Sequence, residues 1–293
     1  FSPVQNDNFE IDGKLIKSSG TLTDIKLFLK NHKAEFIIFS DCDGYYSMDQ
    51  VLSLLGDTNN KVYYYPQWSN SILSMEGAEF GSKKLISIWK KTDSALISLF
   101  IKRISDIMFS LLITFLLSPL IFLVIIVLSI KYKENIFYVQ KRYGLNGSVF
   151  NIYKFRTMYV SESGEKNNLK KAFINDSRVT PIGSILRKFS IDELPQLLNV
   201  LRGEMSLVGP RPHAVSHNEF YRLKIKGYMQ RHSLKPGMTG LAQVHGLRGE
   251  TKTIEDMQKR VENDLNYVND WDLILDLKIL LRTIRLLLTN TSY

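Results

Sequence analysis

The sequence predicts an α/β N-terminal part followed by a mostly α, membrane-associated part with a re-entrant helix. Three observations carry this. Residues 21–66 alternate short helix-like and strand-like patterns, residues 107–130 hold 24 residues without a charge, and residues 271–288 combine apolar runs with spaced charges.

The 293-residue chain is long enough for one large domain or two ordinary ones, and at 44% hydrophobic it can build a core. Lys plus Arg number 38 against 29 for Asp plus Glu, a formal charge of +9. That balance suits an anionic partner: nucleic acid, a phosphate-rich substrate or an acidic membrane face; a merely solubilising surface charge explains it as well. Cys42 is the single cysteine, which excludes a disulfide framework and any multi-cysteine metal site. The chain opens on Phe1, and residues 1–9 resemble neither a signal peptide nor a tag, so upstream residues are expected.

In order along the chain, Thr23 and Asp24 are placed to cap a helix through Ile25, Phe28 and Leu29. Residues 35–40 read as an apolar strand, 49–55 as a helix and 61–65 as a second strand, pieces of an open parallel sheet. No glycine-rich phosphate loop occurs here, so a structural or assembly role is expected. Residues 77–92 read as a connection, giving a boundary between residues 1–92 and 93–293.

At ~1.5 Å per residue, 107–130 makes a helix of ~36 Å, enough to cross a hydrocarbon core of ~30 Å. Ser118-Pro119 interrupts its middle, where proline removes a backbone hydrogen bond. Both flanks are basic: Lys102 and Arg103 before, Lys131, Lys133, Lys141 and Arg142 after. Basic ends on both sides fit a helix–break–helix that dips in and returns to one face; a kinked crossing helix is the alternative. Residues 271–288, opening on Trp271, read as a basic amphipathic helix along a membrane interface, or as an ordinary core-facing helix.

Between these elements lie Lys154, Arg156, Arg187, the adjacent carboxylates Asp192 and Glu193, and Arg211 in Gly209-Pro210-Arg211-Pro212. Adjacent carboxylates can divide labour between nucleophile and magnesium ligand, and the basic residues can neutralise phosphate oxygens. The same residues admit a plainer reading. Ser190 with Glu193 fits a capping box, Pro195 suits a helix start, and 209–212 suits a rigid turn. A helix N-terminus also favours a phosphate, so the two readings are compatible.

Six ordered blocks turn this into a resemblance: KRISDI (102–107), Ser118-Pro119, VQKRYG (139–144), KFRTM (154–158), SIDELPQLLNVLRGEMSLVGPRP (190–212) and KPGMTGLAQVHGLRGET (235–251). The region from about Lys102 to Tyr293 is similar to the bacterial sugar transferase family, the monotopic phosphoglycosyl transferases of the large type. It is most similar to the undecaprenyl-phosphate glucose phosphotransferase branch. The first ~95 residues resemble the end of the Rossmann-like domain that precedes the catalytic domain in large members, which carry four transmembrane helices further upstream.

The resemblance implies that Asp192 is the nucleophile and Glu193 the ligand of a Mg2+ cofactor. It implies phosphate binding by Arg187 and Arg211, with Lys154 and Arg156 lining the same pocket, and a re-entrant break at Ser118 and Pro119. The implied reaction is ping-pong. Asp192 attacks the sugar-side phosphorus of a UDP-sugar, expelling UMP, and undecaprenyl phosphate then takes the sugar phosphate from the aspartate. Glucose is the implied sugar, with galactose or another as the alternative. The implied location is the cytoplasmic face of the bacterial inner membrane, among membrane lipid.

Gln243, His245 and Arg248 lie in a glycine-rich segment able to approach the nucleotide or sugar. His213 and His217 stand four apart like helical metal ligands, but no third ligand is evident. Nucleic acid is not expected as a partner, given the uncharged segment and the acidic pair. A homodimer built through the N-terminal part is a further expectation. A non-catalytic membrane scaffold, with Asp192-Glu193 only a cap, is the competing reading of a different class.

Overall fold

The computed structural model describes residues 8–11, 14–17, 21, 24–31, 34, 36–40, 50–51, 55, 61–65, 77–80 and 83–87, then 96–289 except 133–134, 160–175, 250 and 252. The chain divides into two compact units, Phe1–Lys91 and Thr92–Tyr293.

In the first unit, β1 (Asn8–Ile11) and β2 (Lys14–Lys17) form an antiparallel pair. Helix α1 (Ile25–Asn31) follows, with Asp24 just before it accepting hydrogen bonds from the Thr21 amide and hydroxyl. Strands β3 (Phe36–Ser40), β4 (Lys61–Tyr65), β5 (Gly77–Phe80) and β6 (Lys83–Ser87) make one sheet in the order β3-β4-β6-β5. Only β3 and β4 run parallel; β6 pairs antiparallel with β4 and β5. The sheet is therefore mixed rather than open and parallel, and residues 77–87, expected as a connection, form a hairpin. Val62, Ile25, Val51 and Leu55 form the buried core, against which Leu29, Ile37 and Phe39 pack. Val51 and Leu55 belong to the expected helix at 49–55, most of which lies outside the described residues, as does Cys42.

The second unit opens with α2 (Leu96–Lys131), a 36-residue helix long and apolar enough to cross a membrane. The expected break is absent from its secondary structure, which runs through Ser118 and Pro119. The reason is local. Proline at 119 has no N–H to offer the Phe115 carbonyl, and the Ser118 hydroxyl donates to that carbonyl instead, at 2.7 Å.

The start of α2 is held by three side chains. Lys102 is buried against Asp276 at 2.5 Å and donates to the Val208 carbonyl; Asp106 accepts from the Ser206 hydroxyl and the Leu207 amide. Arg103 donates to the Val200 and Leu201 carbonyls near the C-terminus of α4 (Gln196–Arg202), where the helix dipole favours a cation. Near the far end, Val124, Leu128 and Tyr132 pack with Phe155 and Leu186, and the Tyr132 hydroxyl donates to Thr180 at 2.9 Å. No residue from 111 to 123 is buried, and Phe115 stands 76% exposed.

Antiparallel strands β7 (Phe137–Tyr143) and β8 (Val149–Phe155) lead to α3 (Pro181–Lys188) and α4. Strand β9 (Ser206–Val208) precedes α5 (Val215–Arg222), and β9 pairs in parallel with β10 (Gly237–Thr239). The short α6 (Leu241–Val244) precedes α7 (Ile254–Asp270), which starts at a Thr253/Asp256 capping box. The main core joins Phe150, Ile152, Val200, Met205, Val208, Tyr267, Trp271 and Ile279. Trp271 is thus a core residue bonded to Asp276 at 3.2 Å, not the interfacial anchor its position suggests. The helix after it, α8 (Leu273–Leu288), buries Asp276 and Ile279 while exposing Ile274, Leu277, Leu281 and Ile284.

Candidate active site

Asp192 and Glu193 lie on a single 3-10 turn, Ile191–Glu193, between α3 and α4, and both are buried. The expected capping box does not form. Ser190 adopts a left-handed conformation (φ 57°, ψ 21°) and caps nothing, while Pro195 stands one residue ahead of α4. The Ser190 hydroxyl instead accepts from Arg248 Nη2 at 2.7 Å. Cations claim the Glu193 side chain: Lys154 Nζ stands 2.7 Å from Oε1, Arg211 donates to both carboxylate oxygens, and Arg248 lies 4.0 Å from Oε2.

The two carboxyls therefore differ electrostatically. Burial pushes the Asp192 carboxyl upward and the neighbouring Glu193 charge adds to that, while Lys154, Arg187 and Arg211 pull against it; the net shift is upward. Burial also pushes Glu193 upward, but Arg211, Lys154 and Arg248 outweigh it and hold this carboxyl well below its usual range. Asp192 makes no side-chain hydrogen bond among the described residues, whereas Glu193 is engaged by Lys154 and Arg211.

Close backbone packing sets the positions of the arginines. A Cβ on Gly183 would stand 2.0 Å from the Thr157 carbonyl oxygen, so only glycine lets α3 seat there. Arg187 on that helix then donates to the Thr157 hydroxyl at 2.9 Å and acts electrostatically on Asp192. A Cβ on Gly237 would meet the Gly209 amide nitrogen at 2.1 Å, and this approach sets the path from β9 into Arg211.

Two expected residues stand apart. Arg156 points to the end of α2, its guanidinium 4.8 Å from the Tyr132 ring centre and its Nε on the Met158 carbonyl. Gln243 is buried on α6 and faces the Met238 carbonyl, and among the described residues it makes no hydrogen bond to the carboxylate pair. Sequence reading missed Arg142 and Arg260. Together with Lys154, Gln196, Arg211, His213 and His217 they line a cavity of about 110 Å3 beside Glu193. The signal for Arg142 was present in VQKRYG; nothing near Arg260 in the sequence marks it.

Among the described residues no group of three His, Cys, Asp or Glu gathers around one point. Glu193 is held ionised, but Lys154 and Arg211 engage both its oxygens; a magnesium ion there would have to displace one of them and take its remaining ligands from phosphate and water.

Residues 97–290 match the family model for bacterial sugar transferase. The chain belongs to that family. It is 44% identical over 241 residues to UDP-glucose:undecaprenyl-phosphate glucose-1-phosphate transferase of Klebsiella pneumoniae, covering 81% of this chain and 51% of that protein. The protein of that name from Escherichia coli (strain K12) is 40% identical over 250 residues, 85% of this chain and 53% of the relative. That from Caulobacter vibrioides is 48% identical over 191 residues, covering 65% of this chain and 71% of its own length. The chain thus spans about half the length of the first two relatives. The family match includes the carboxylate turn, α8 and all of α2 but its first residue.

Proposed function

We propose that the chain transfers glucose-1-phosphate from UDP-glucose to undecaprenyl phosphate, an early membrane step of exopolysaccharide synthesis. The observation that carries this is the difference in environment between two adjacent buried carboxyls, one clamped by cations and one without a hydrogen bond. The donor and acceptor come from the names of the relatives. Galactose or another sugar phosphate is the alternative donor.

In the first step an Asp192 oxygen attacks the sugar-side phosphorus. The bond from that phosphorus to the bridging oxygen breaks, and UMP leaves with the bonding pair. In the second, an oxygen of the polyprenyl phosphate attacks the same phosphorus and Asp192 departs as carboxylate, regenerating the enzyme. Lys154, Arg187 and Arg211 neutralise phosphate charge, and a carboxylate nucleophile needs no base to activate it. Glu193 would hold the magnesium ion, which would supply further charge neutralisation on the phosphates.

We place the site at the cytoplasmic face of the inner membrane, with α2 re-entrant. Support comes from both ends of α2 packing on the same unit while its middle is exposed, and from the apolar face of α8. We read residues 1–92 as the end of a Rossmann-like regulatory or assembly domain, supported by the parallel β3–β4 pair beside α1.

The test is UMP release with magnesium, undecaprenyl phosphate and a panel of UDP-sugars. The expected result is release strongest with UDP-glucose and abolished in Asp192→Asn. Release that survives Asp192→Asn overturns the mechanism, and release strongest with a different sugar corrects the donor.

A further inference from the structure

We propose that the cavity lined by Arg142, Gln196, His213 and Arg260 is a phosphate pocket for the nucleotide half of the donor. This rests on the transferase reading above and gives a place to the phosphate that leaves.

Four buried polar nitrogens without a hydrogen-bond partner among the described residues belong to these four side chains: Arg142 Nε, Gln196 Nε2, His213 Nε2 and Arg260 Nε. The first, second and fourth can only donate. His213 resolves the same way. Its Nδ1 stands 2.6 Å from both Tyr228 Oη and Arg231 Nη1; the hydroxyl can give or take a proton but the guanidinium can only give, so Nδ1 accepts and the ring proton sits on Nε2. Burial, with Arg231, Arg260 and Arg142 nearby, keeps this imidazole neutral. Four donors around one cavity thus lack acceptors, and each such buried group costs about 1–3 kcal/mol if left so. An oxygen-rich ligand is what they fit.

Charge makes that ligand an anion. The lining includes Arg142, Lys154, Arg211 and Arg260 but no Asp or Glu among the described residues. Burial, then the Arg211 charge, lowers Arg142 to about 10 and moves Arg260 the same way, so these cations sit at a potential that an anion relieves. A volume of about 110 Å3 is far more than one water needs.

The source of the phosphate follows from which elements contribute. The lining comes from β7, β8, α4, α5, α7 and the segment after β9, with nothing from the apolar helix α2. Two other cations stand where α2 ends: Arg156 stacks on Tyr132, and Arg187 bonds Thr157, whose carbonyl accepts from the Thr180 amide. A lipid phosphate delivered along α2 meets Arg156 and Arg187. The cavity is left for the nucleotide phosphate, which becomes a dianion as it departs.

The test titrates UMP, and inorganic phosphate in competition, into the full chain in detergent, with no turnover required. Arg260→Gln and Arg142→Gln are each expected to weaken UMP by about 10–100-fold, the range for losing a charged hydrogen bond. Thermal midpoints without ligand should hold or rise, because a half-buried cation with an unpartnered Nε and no carboxylate beside it in the cavity has gone. The Michaelis constant for UDP-sugar should increase while that for undecaprenyl phosphate stays unchanged. Unchanged UMP affinity in both variants overturns the pocket, and so does an increase confined to the lipid acceptor. If Arg260→Gln does not fold, Arg260→Lys, which keeps the charge and lacks the fork, serves with the same criterion. UMP binding through these residues without release from any donor would sink the transfer reading and leave the pocket standing. Transfer with unaltered UMP binding in both variants would do the reverse.

Discussion

Asp192 and Glu193 are neighbours in sequence with opposite consequences for folding. The Asp192 carboxyl titrates above its ordinary value of 3.8 because it is buried. The unfolded chain therefore gives up that proton at lower pH than the folded one does. Ionisation penalises the fold in full above the raised folded value, and the penalty vanishes below 3.8. Asp192→Asn is accordingly expected to raise the thermal midpoint at neutral pH while abolishing transfer, with the gain fading on acidification. Glu193→Gln should do the opposite. It leaves Lys154 and Arg211 without their anion in a partly buried site, a loss of about 2–3 kcal/mol. Thermal melts of both variants across a pH series check the pair; two shifts of the same sign would refute the divided environments.

At the scale of elements, what the sequence shows and what it hides divide along local and long-range lines. The apolar helix and strands β3 and β4 were legible because their patterns are contiguous. The β5–β6 hairpin was not: its strands are short, and only Gly81-Ser82 between them hints at a turn. The capping box was a correct local pattern overridden by cations from β8 and from beyond β9, which no local pattern contains. Arg260 joins the cavity from α7, far along the chain from Lys154 and Arg142, so spacing could not reveal it. KRISDI shows the same limit. Its Lys102 reads as a membrane-flanking charge, yet it is buried with Asp276, Tyr267 and Trp271 and ties α2 to α8. Lys102→Met should cost about 3–5 kcal/mol by leaving Asp276 uncompensated, whereas Lys102→Met with Asp276→Leu should recover much of it. Denaturant midpoints across that double-mutant cycle decide, and additive losses would mean the pair is not coupled.

For the whole molecule, the question is how 36 residues of helix relate to a membrane when both ends belong to one folded unit. A crossing helix separates its ends by the full bilayer, about 40–45 Å with the headgroups. Here Lys102, Arg103 and Asp106 at one end, and Leu128 and Tyr132 near the other, are all bound to surfaces of the unit that holds the carboxylate pair. Pulling either end to the opposite face would expose a buried ion pair or the Phe155–Leu186 cluster to lipid or water, and Ser118 with Pro119 lies in the exposed middle where a turn-back needs the helix weakest. The re-entrant arrangement proposed for α2 therefore predicts both flanks on one side. With Cys42 replaced by serine, single cysteines at Leu99 and Asn135, both exposed, report the sidedness to a membrane-impermeant maleimide. Neither should label in intact spheroplasts, and both should label after lysis. Labelling of only one from outside would make α2 a crossing helix, and would require the contacts at one of its ends to open in the membrane.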